Sequence, residues 1–439
     1  MSLASSVRTT ISGKGTVTGL FTSKLAKASG LMFVSTIAGG VLGYVFQVFM
    51  GRMLSIADYG LFVTFMAVLA MIGVPFSALS MIVTRKASAY RAKNQPERIA
   101  GIFWWVNKRL LWAAIVVTLC ALPFSPLMRD YFRLDSLVPI WIFLFIIFFS
   151  FFSTVNPAIL QAQQNFRWLA ASGMASPSFK IIFCVVLVLS GFKLNGALMG
   201  VAFALAITWL ITFLPLRHAV ALPTGARQAG RHLSFKSAIP VLIASLAFTM
   251  MTQLDMVLVN HYFDPQQAGI YAAASILGKA VMYLPGAIVI AMFPMVAEND
   301  SREQSSVHLF FNALALTAGL SGAGALFYFF FADGIMSLLY GLKYQPAAEL
   351  LRYYGFAMLP MTLVMVAEYF LIAKGRVIFA YVMMLAVPFV LIAVQAHHDR
   401  LIDMVYILGA CGWGLALVGF GVIGVPVWIA RLPRRTKQP

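Results

Sequence analysis

The sequence predicts an all-α integral membrane protein with about twelve transmembrane helices in two six-helix halves. Three observations carry that reading. Of the 439 residues, 61% are apolar and only 10% charged, whereas a soluble domain is about a quarter charged. The apolar residues fall into twelve runs, each close to the roughly 20 residues that cross a hydrocarbon core of about 30 Å. A short motif also recurs at matching places in the two halves.

The runs are 30–51, 59–84, 101–125, 137–160, 173–192, 194–216, 238–262, 269–297, 307–331, 349–373, 377–395 and 404–430. No break between them is long enough for a large soluble domain. The fifth and sixth runs are separated only by "GFKLNG", a tight-turn composition. The chain therefore divides into a segment at 1–29, a first bundle at 30–216, a basic linker at 217–237, a second bundle at 238–430 and a basic tail at 431–439. Thr16–Lys27 is amphipathic and basic, suited to the surface of a leaflet or to a disordered tail. The first apolar run has no small-residue cleavage site at its end and reads as a retained helix. Cys120, Cys184 and Cys411 stand apart inside apolar runs, which indicates neither a disulfide framework nor a metal site.

Orientation follows from Lys and Arg, which resist translocation. With the N-terminus inside, the cytoplasmic breaks include "RKASAYRAKNQPER", "RQAGRHLSFK", "KGR" and "RLPRRTKQP". That side carries about 21 of the 32 basic residues and the opposite side about seven. Both termini are then cytoplasmic. The net charge of +18 is explained by this bias and does not call for a nucleic-acid partner.

The recurring motif is "LSIADYGLF" between runs one and two and "FDPQQAGIY" between runs seven and eight. Each places Gly, an apolar residue and an aromatic at the start of the second helix: Gly60–Phe62 and Gly269–Tyr271. A proline follows 15 residues later in the first case (Pro75) and 16 in the second (Pro285). Six passes are even in number, so both halves enter from the same side. The repeat is parallel, with its axis along the membrane normal.

With these stretches, "RMLSIADYGLF" and "DMVLVNHYFDPQQAGIYAAASILGKAVMYLPGAIVIAMFP", the chain resembles the polysaccharide and O-antigen flippase branch of the multidrug/oligosaccharidyl-lipid/polysaccharide exporter superfamily. The resemblance covers most of the chain as a plan and is motif-like in those two stretches. It implies two bundles packed as a V around a central cavity. It also implies transport of an undecaprenyl-diphosphate-linked sugar from the inner to the outer leaflet of the bacterial inner membrane. Polysaccharide polymerase or glycosyltransferases would be its functional partners.

Charges inside the apolar runs are the next clue. Lys279 lies ten residues past Gly269, about 15 Å along a helix and near the bilayer midplane. A charge there costs at least about 2.5–3.5 kcal/mol, so it must face protein or water. Asp255 and Glu368 are the other two charges singled out. Asp255 lies 11 residues before Gln266 and Lys279 13 after it, so the two are at similar depth. Two readings stand: the lysine pairs with Asp255, or it lines the cavity and meets an anionic substrate. Snorkelling to a surface is disfavoured by the depth.

A diphosphate crossing a membrane needs a counter-charge, because an unpaired charge in a dry cavity is prohibitive. Lys279 is the first candidate and Arg52, at the outer mouth, the second, with an interfacial anchor as its plainer reading. Arg85 and Lys86 are candidates for headgroup capture, or simply part of the positive-inside bias. Glu368 is an ion site or a packing partner. Tyr44, Gln47, Gln253, Asn156 and Tyr283 are candidates to bond sugars, or to form interhelical hydrogen bonds. Pro75 and Pro285 lead the hinge candidates because they occupy matching places.

His397, His398 and Asp399 form the only compact metal-like cluster, in a loop where such residues are usually just solvated. No P-loop, nucleotide fingerprint, nucleophile elbow or zinc-protease motif occurs, so the sequence points to no catalytic residue and no cofactor. Three functions remain. The first is a flippase for a lipid-linked oligosaccharide or polysaccharide repeat unit. The second is a cation-coupled multidrug exporter of the same fold, against which the first run holds no acidic residue although the seventh holds Asp255. The third is a non-transporting subunit of an envelope polysaccharide assembly.

Overall fold

In lipid a backbone N–H or C=O has no water to bond, so an apolar run must pair its own backbone as a helix. The computed structural model describes residues 24–220, 239–283, 285–301 and 306–431, and these contain helices and turns but no strand. The first bundle begins with α1 (Lys24–Met53) and α2 (Ile56–Ala92). Its third pass is α3 (Pro96–Ala121) continued by α4 (Ser125–Tyr131), and its fourth is α5 (Val138–Phe152) with α6 (Val155–Ala162). α7 (Phe166–Leu187) and α8 (Lys193–Phe213) complete it, followed by the short α9 (Arg217–Val220). The second bundle begins with α10 (Ile239–Tyr262), then a pass made of α11 (Pro265–Tyr283) and α12 (Gly286–Ser301). It continues through α13 (Val307–Leu339), α14 (Ala347–Ala373), α15 (Ile378–Ala396) and α16 (Leu401–Arg431).

These elements make twelve passes in two six-helix bundles. Phe166–Leu216, 51 residues long, holds two of them. The chain reverses at Gly191 and Lys193, whose φ values of +91° and +45° turn the predicted "GFKLNG" into a hairpin. One end of the protein, called the terminal end below, carries the ends of the passes nearest the chain termini. The distal end carries the α1–α2, α10–α11 and α13–α14 turns.

Several boundaries differ from expectation. "RKASAYRAKNQPER" is not all loop: α2 runs on through Arg85 and Lys86 to Ala92. Ala, Arg and Lys are good helix formers, and nothing stops the helix before Asn94, whose φ is +51°. The eighth pass is not one helix but breaks around Pro285, whereas Pro75 sits inside an unbroken α2. The amphipathic stretch expected at Thr16–Lys27 lies largely outside the described residues, as do nearly all of the linker and the basic tail.

α11 is largely enclosed. Ala268, Gly269, Ala272, Ala273, Ala274, Ser275 and Gly278 are all buried. Lipid tails are as apolar as the side chains, so helices in a membrane associate by close packing, which small residues allow. This run of small residues lets α11 lie against α2 of the other bundle on one side and α14 on the other.

Candidate functional site

The two bundles meet at a seam in the distal half. The repeat glycines Gly60 and Gly269 face each other there: a methyl group added at Gly60 would lie 2.7 Å from the Gly269 nitrogen. One added at Gly269 would collide with the Ile56 carbonyl. The Tyr59 and Tyr340 hydroxyls, both buried, share a hydrogen bond of 3.0 Å. Tyr344 packs edge-on against both rings.

Charged side chains close the rim. Arg52 donates through Nε to the Leu339 carbonyl at 2.7 Å and through its guanidinium to Leu338. Lys343 donates to the carbonyls of Arg52 at 3.0 Å and Leu54 at 2.8 Å. Arg133 caps the α10–α11 turn at the His261 and Phe263 carbonyls. The deepest of these links is Thr64 to the Met256 carbonyl at 3.3 Å. These side-chain hydrogen bonds between the bundles all lie between the distal rim and Thr64. Arg52 is therefore a clasp across the seam in this conformation.

Lys279 pairs with Asp255 at 3.0 Å, and the two side chains are 5% and 1% exposed. Asp255 also accepts from Tyr354 at 2.6 Å, Tyr271 at 3.2 Å and Ser275 at 3.3 Å. Four donors around one carboxylate satisfy its lone pairs, as a buried charge requires. The expectation that Lys279 looks onto an open chamber is corrected here: it is locked inside the second bundle. The reason is the hairpin turning near Gln266, which brings lysine and aspartate to one depth.

An open, polar space lies in the first bundle instead. A cavity of about 590 Å³ is lined by α1, α6, α7 and α8 and by Ser153 between α5 and α6. It belongs to the terminal half: Ser35 lies in the first part of α1, Gln161 in the last turn of α6 and Thr208 near the end of α8. Its lining includes seven Ser and Thr residues with Gln161 and Trp209, and no charged side chain. Asn156 is fully buried behind it and donates to the Trp209 carbonyl and the Thr212 hydroxyl, both at 3.2 Å. Its Oδ1 and the Trp209 Nε1 have no partner. A second cavity of about 500 Å³ holds Arg91 and shares Gln161 with the first.

Lys180 is an intramembrane charge that the sequence reading passed over. α7 lines the groove with Leu169, Ser172, Gly173 and Ser176, and Lys180 follows on the same helix face one turn deeper. It lies fourteen residues past Phe166, about 21 Å along the helix. It is half-buried and has no hydrogen-bond or ion-pair partner among the described residues. Its i, i+4 spacing from Ser172 and Ser176 was the signal in the sequence.

The other candidates are scattered. Glu368 is 5% exposed and has no partner among the described residues, so no ion pair forms there. Gln47 is half-buried with Oε1 unpartnered. Tyr44 and Gln253 are half-buried and Tyr283 is exposed. Arg85 is exposed and Lys86 lies over the Tyr90 ring; neither lines the Arg91 cavity, although Arg91 itself was not singled out from the sequence. Pro75 is exposed on α2. His398 lies tilted against the Tyr262 ring and meets the Val394 carbonyl.

Two parallel six-helix bundles, closed against each other at one end, define a membrane protein of the multidrug/oligosaccharidyl-lipid/polysaccharide (MOP) exporter fold. Solved structures carry the same architecture. An inward-facing multidrug resistance MATE family transporter of the MOP superfamily is similar at 13% identity with a TM-score of 0.75, over 89% of this chain and 96% of that one. The lipid II flippase MurJ, in an inward closed conformation, is similar at 14% identity and 0.69, over 91% and 87%. An outward-facing MATE transporter gives 14% and 0.63, over 92% and 96%. The chain has no match among curated proteins. Residues 49–349 match the family described as polysaccharide biosynthesis protein, and the chain belongs to that family.

Proposed function

We propose that the protein is a flippase that moves a lipid-linked, diphosphate-bearing saccharide across the bacterial inner membrane by alternating access. The observation that carries this is the cluster of inter-bundle bonds at the distal end, with the polar groove at the other. Rocking of the two bundles, which breaks the Gly60–Gly269 seam, exchanges which end is closed. The bias of basic residues places the terminal end in the cytoplasm, so this conformation receives substrate from inside. Membership in a polysaccharide biosynthesis family supports a saccharide cargo. The flippase MurJ supports the same chemistry by analogy of fold.

The polyprenyl tail stays in lipid while the headgroup passes between the bundles. The unpaired ammonium of Lys180 is the midplane counter-charge for the diphosphate, in the role first assigned to Lys279. An outward-moving anion gains about 2.3 kcal/mol per charge per 100 mV, so the membrane potential assists. The substrate would come from glycosyltransferases and pass to a polymerase. A multidrug exporter is the weaker reading, because no carboxylate lines the groove to hold a cationic drug.

Deleting the gene tests the proposal. Expected are loss of surface polysaccharide, accumulation of lipid-linked saccharide on the inner leaflet, and unchanged dye efflux. Lost efflux with normal glycolipid overturns it.

A further inference from the structure

The geometry points to the groove between α1, α6, α7 and α8 as a carbohydrate subsite for the sugars nearest the diphosphate, with Arg91 at the phosphate end. This rests on the flippase reading and goes beyond it by placing the saccharide in the first bundle alone.

Four features of the groove select the ligand. Its volume, about 590 Å³, lies within the range of small-molecule sites. Its lining carries no charge but many hydroxyls, which donate and accept alike. A neutral polyol matches that; a cation or a bare anion does not. Trp209 offers a ring, stacked 5.5 Å from Phe213, and an indole N–H with no acceptor. An orphaned buried donor is costly, and a turn of the indole toward the groove would give it a sugar hydroxyl as acceptor. Asn156 Oδ1, also unpartnered, lies fully buried behind the lining.

The second cavity supplies the other end of the headgroup. Gln161 lines both spaces, so they adjoin, and Arg91 is the charged residue of the outer one. Arg91 holds the Ala162 carbonyl at 3.3 Å and keeps further N–H donors for phosphate oxygens. A headgroup with Arg91 at its diphosphate would lay its first sugars past Gln161 onto Ser176, Thr208 and Trp209. Lys279 of the second bundle is enclosed instead, with Tyr271, Ser275 and Tyr354 packed around its ion pair.

The test measures binding of polyprenyl-diphosphate saccharide, extracted from cells that produce the protein, to full-length protein in nanodiscs. A parallel arm uses the same extract after mild acid has cleaved the sugar–phosphate bond. Ser176→Trp fills the groove; Ser176→Ala with Thr208→Val removes two hydroxyls. The wild type is expected to bind the intact lipid more tightly than the cleaved one. Ser176→Trp is expected to lose that preference while binding the cleaved lipid as the wild type does, which also shows that it is folded. The double variant is expected to weaken intact-lipid binding by about tenfold and leave the cleaved arm unchanged. If both variants bind the intact lipid like the wild type, the subsite is overturned and the flippase reading stands. If the wild type binds neither lipid, the flippase reading falls with it.

Discussion

Gly60 and Gly269, which occupy the same place in the two halves of the repeat, touch each other backbone to backbone across the seam. Equivalent residues meet in this way only where a two-fold axis passes between them. The motif that marks the repeat is therefore also the contact on which the bundles close. Absence of a side chain is what the position needs, since a methyl group at either glycine enters the other helix.

Gly269→Ala is expected to disfavour the conformation closed at the distal end by about 1–3 kcal/mol, as overpacking does. Spin-label distances across the distal seam should lengthen and transport should fall. An unchanged distance distribution would show that the glycine contact does not hold the seam.

Tyr59→Phe and Tyr340→Phe each remove one side of the 3.0 Å hydroxyl bond. Each should cost about 0.5–1.5 kcal/mol, and the double variant no more than the worse single one, because the two share one interaction. Accessibility of seam cysteines to a membrane-impermeant thiol reagent reads the effect. Additive losses would show that the bond does not couple the bundles.

Lys279→Ala leaves Asp255 charged and buried, and Asp255→Asn leaves the lysine so. Either should cost about 3–5 kcal/mol and lower the amount of folded protein. Lys279→Met with Asp255→Asn removes both charges and should recover much of the loss. Recovery of both folding and transport marks the pair as structural. Recovery of folding without transport would return Lys279 to the transport pathway.

Lys180→Met should act in the opposite sense. A lysine at the bilayer centre costs about 2.5–3.5 kcal/mol on insertion scales, and Lys180 has no partner offsetting it among the described residues. The variant should unfold at higher temperature and yet export less saccharide. Full export by a stabilised Lys180→Met protein would remove this lysine from the mechanism.

Glu368→Gln replaces an enclosed, unpartnered carboxyl with a neutral group of the same shape. Thermal stability is expected to hold or rise, and transport to persist with and without a proton gradient. Loss of transport in a stable variant would make Glu368 a coupling site.

The helices were legible because lipid imposes one rule on every run: about 20 apolar residues paired within themselves. The hairpin at "GFKLNG" and the Gly-apolar-aromatic repeat were legible for a similar reason, since turn chemistry and internal symmetry are local patterns. The partnership of Lys279 with Asp255 stayed open in the sequence. Depth along two helices can be counted, but the rotation that aims one side chain at another is set by the packing of α10, α11 and α14.

The sequence by itself determined the class, the number of passes and the direction of the repeat, all of which follow from hydropathy and spacing along one chain. Only the tertiary structure decided that a groove opens in the first bundle and that Lys279 is enclosed in the second. The hydroxyls of the groove come from α1, Ser153, α7 and α8, far apart in the chain, and none is unusual alone. A groove exists where four helices fail to fill the space between them, and that is a property of their packing rather than of any one segment.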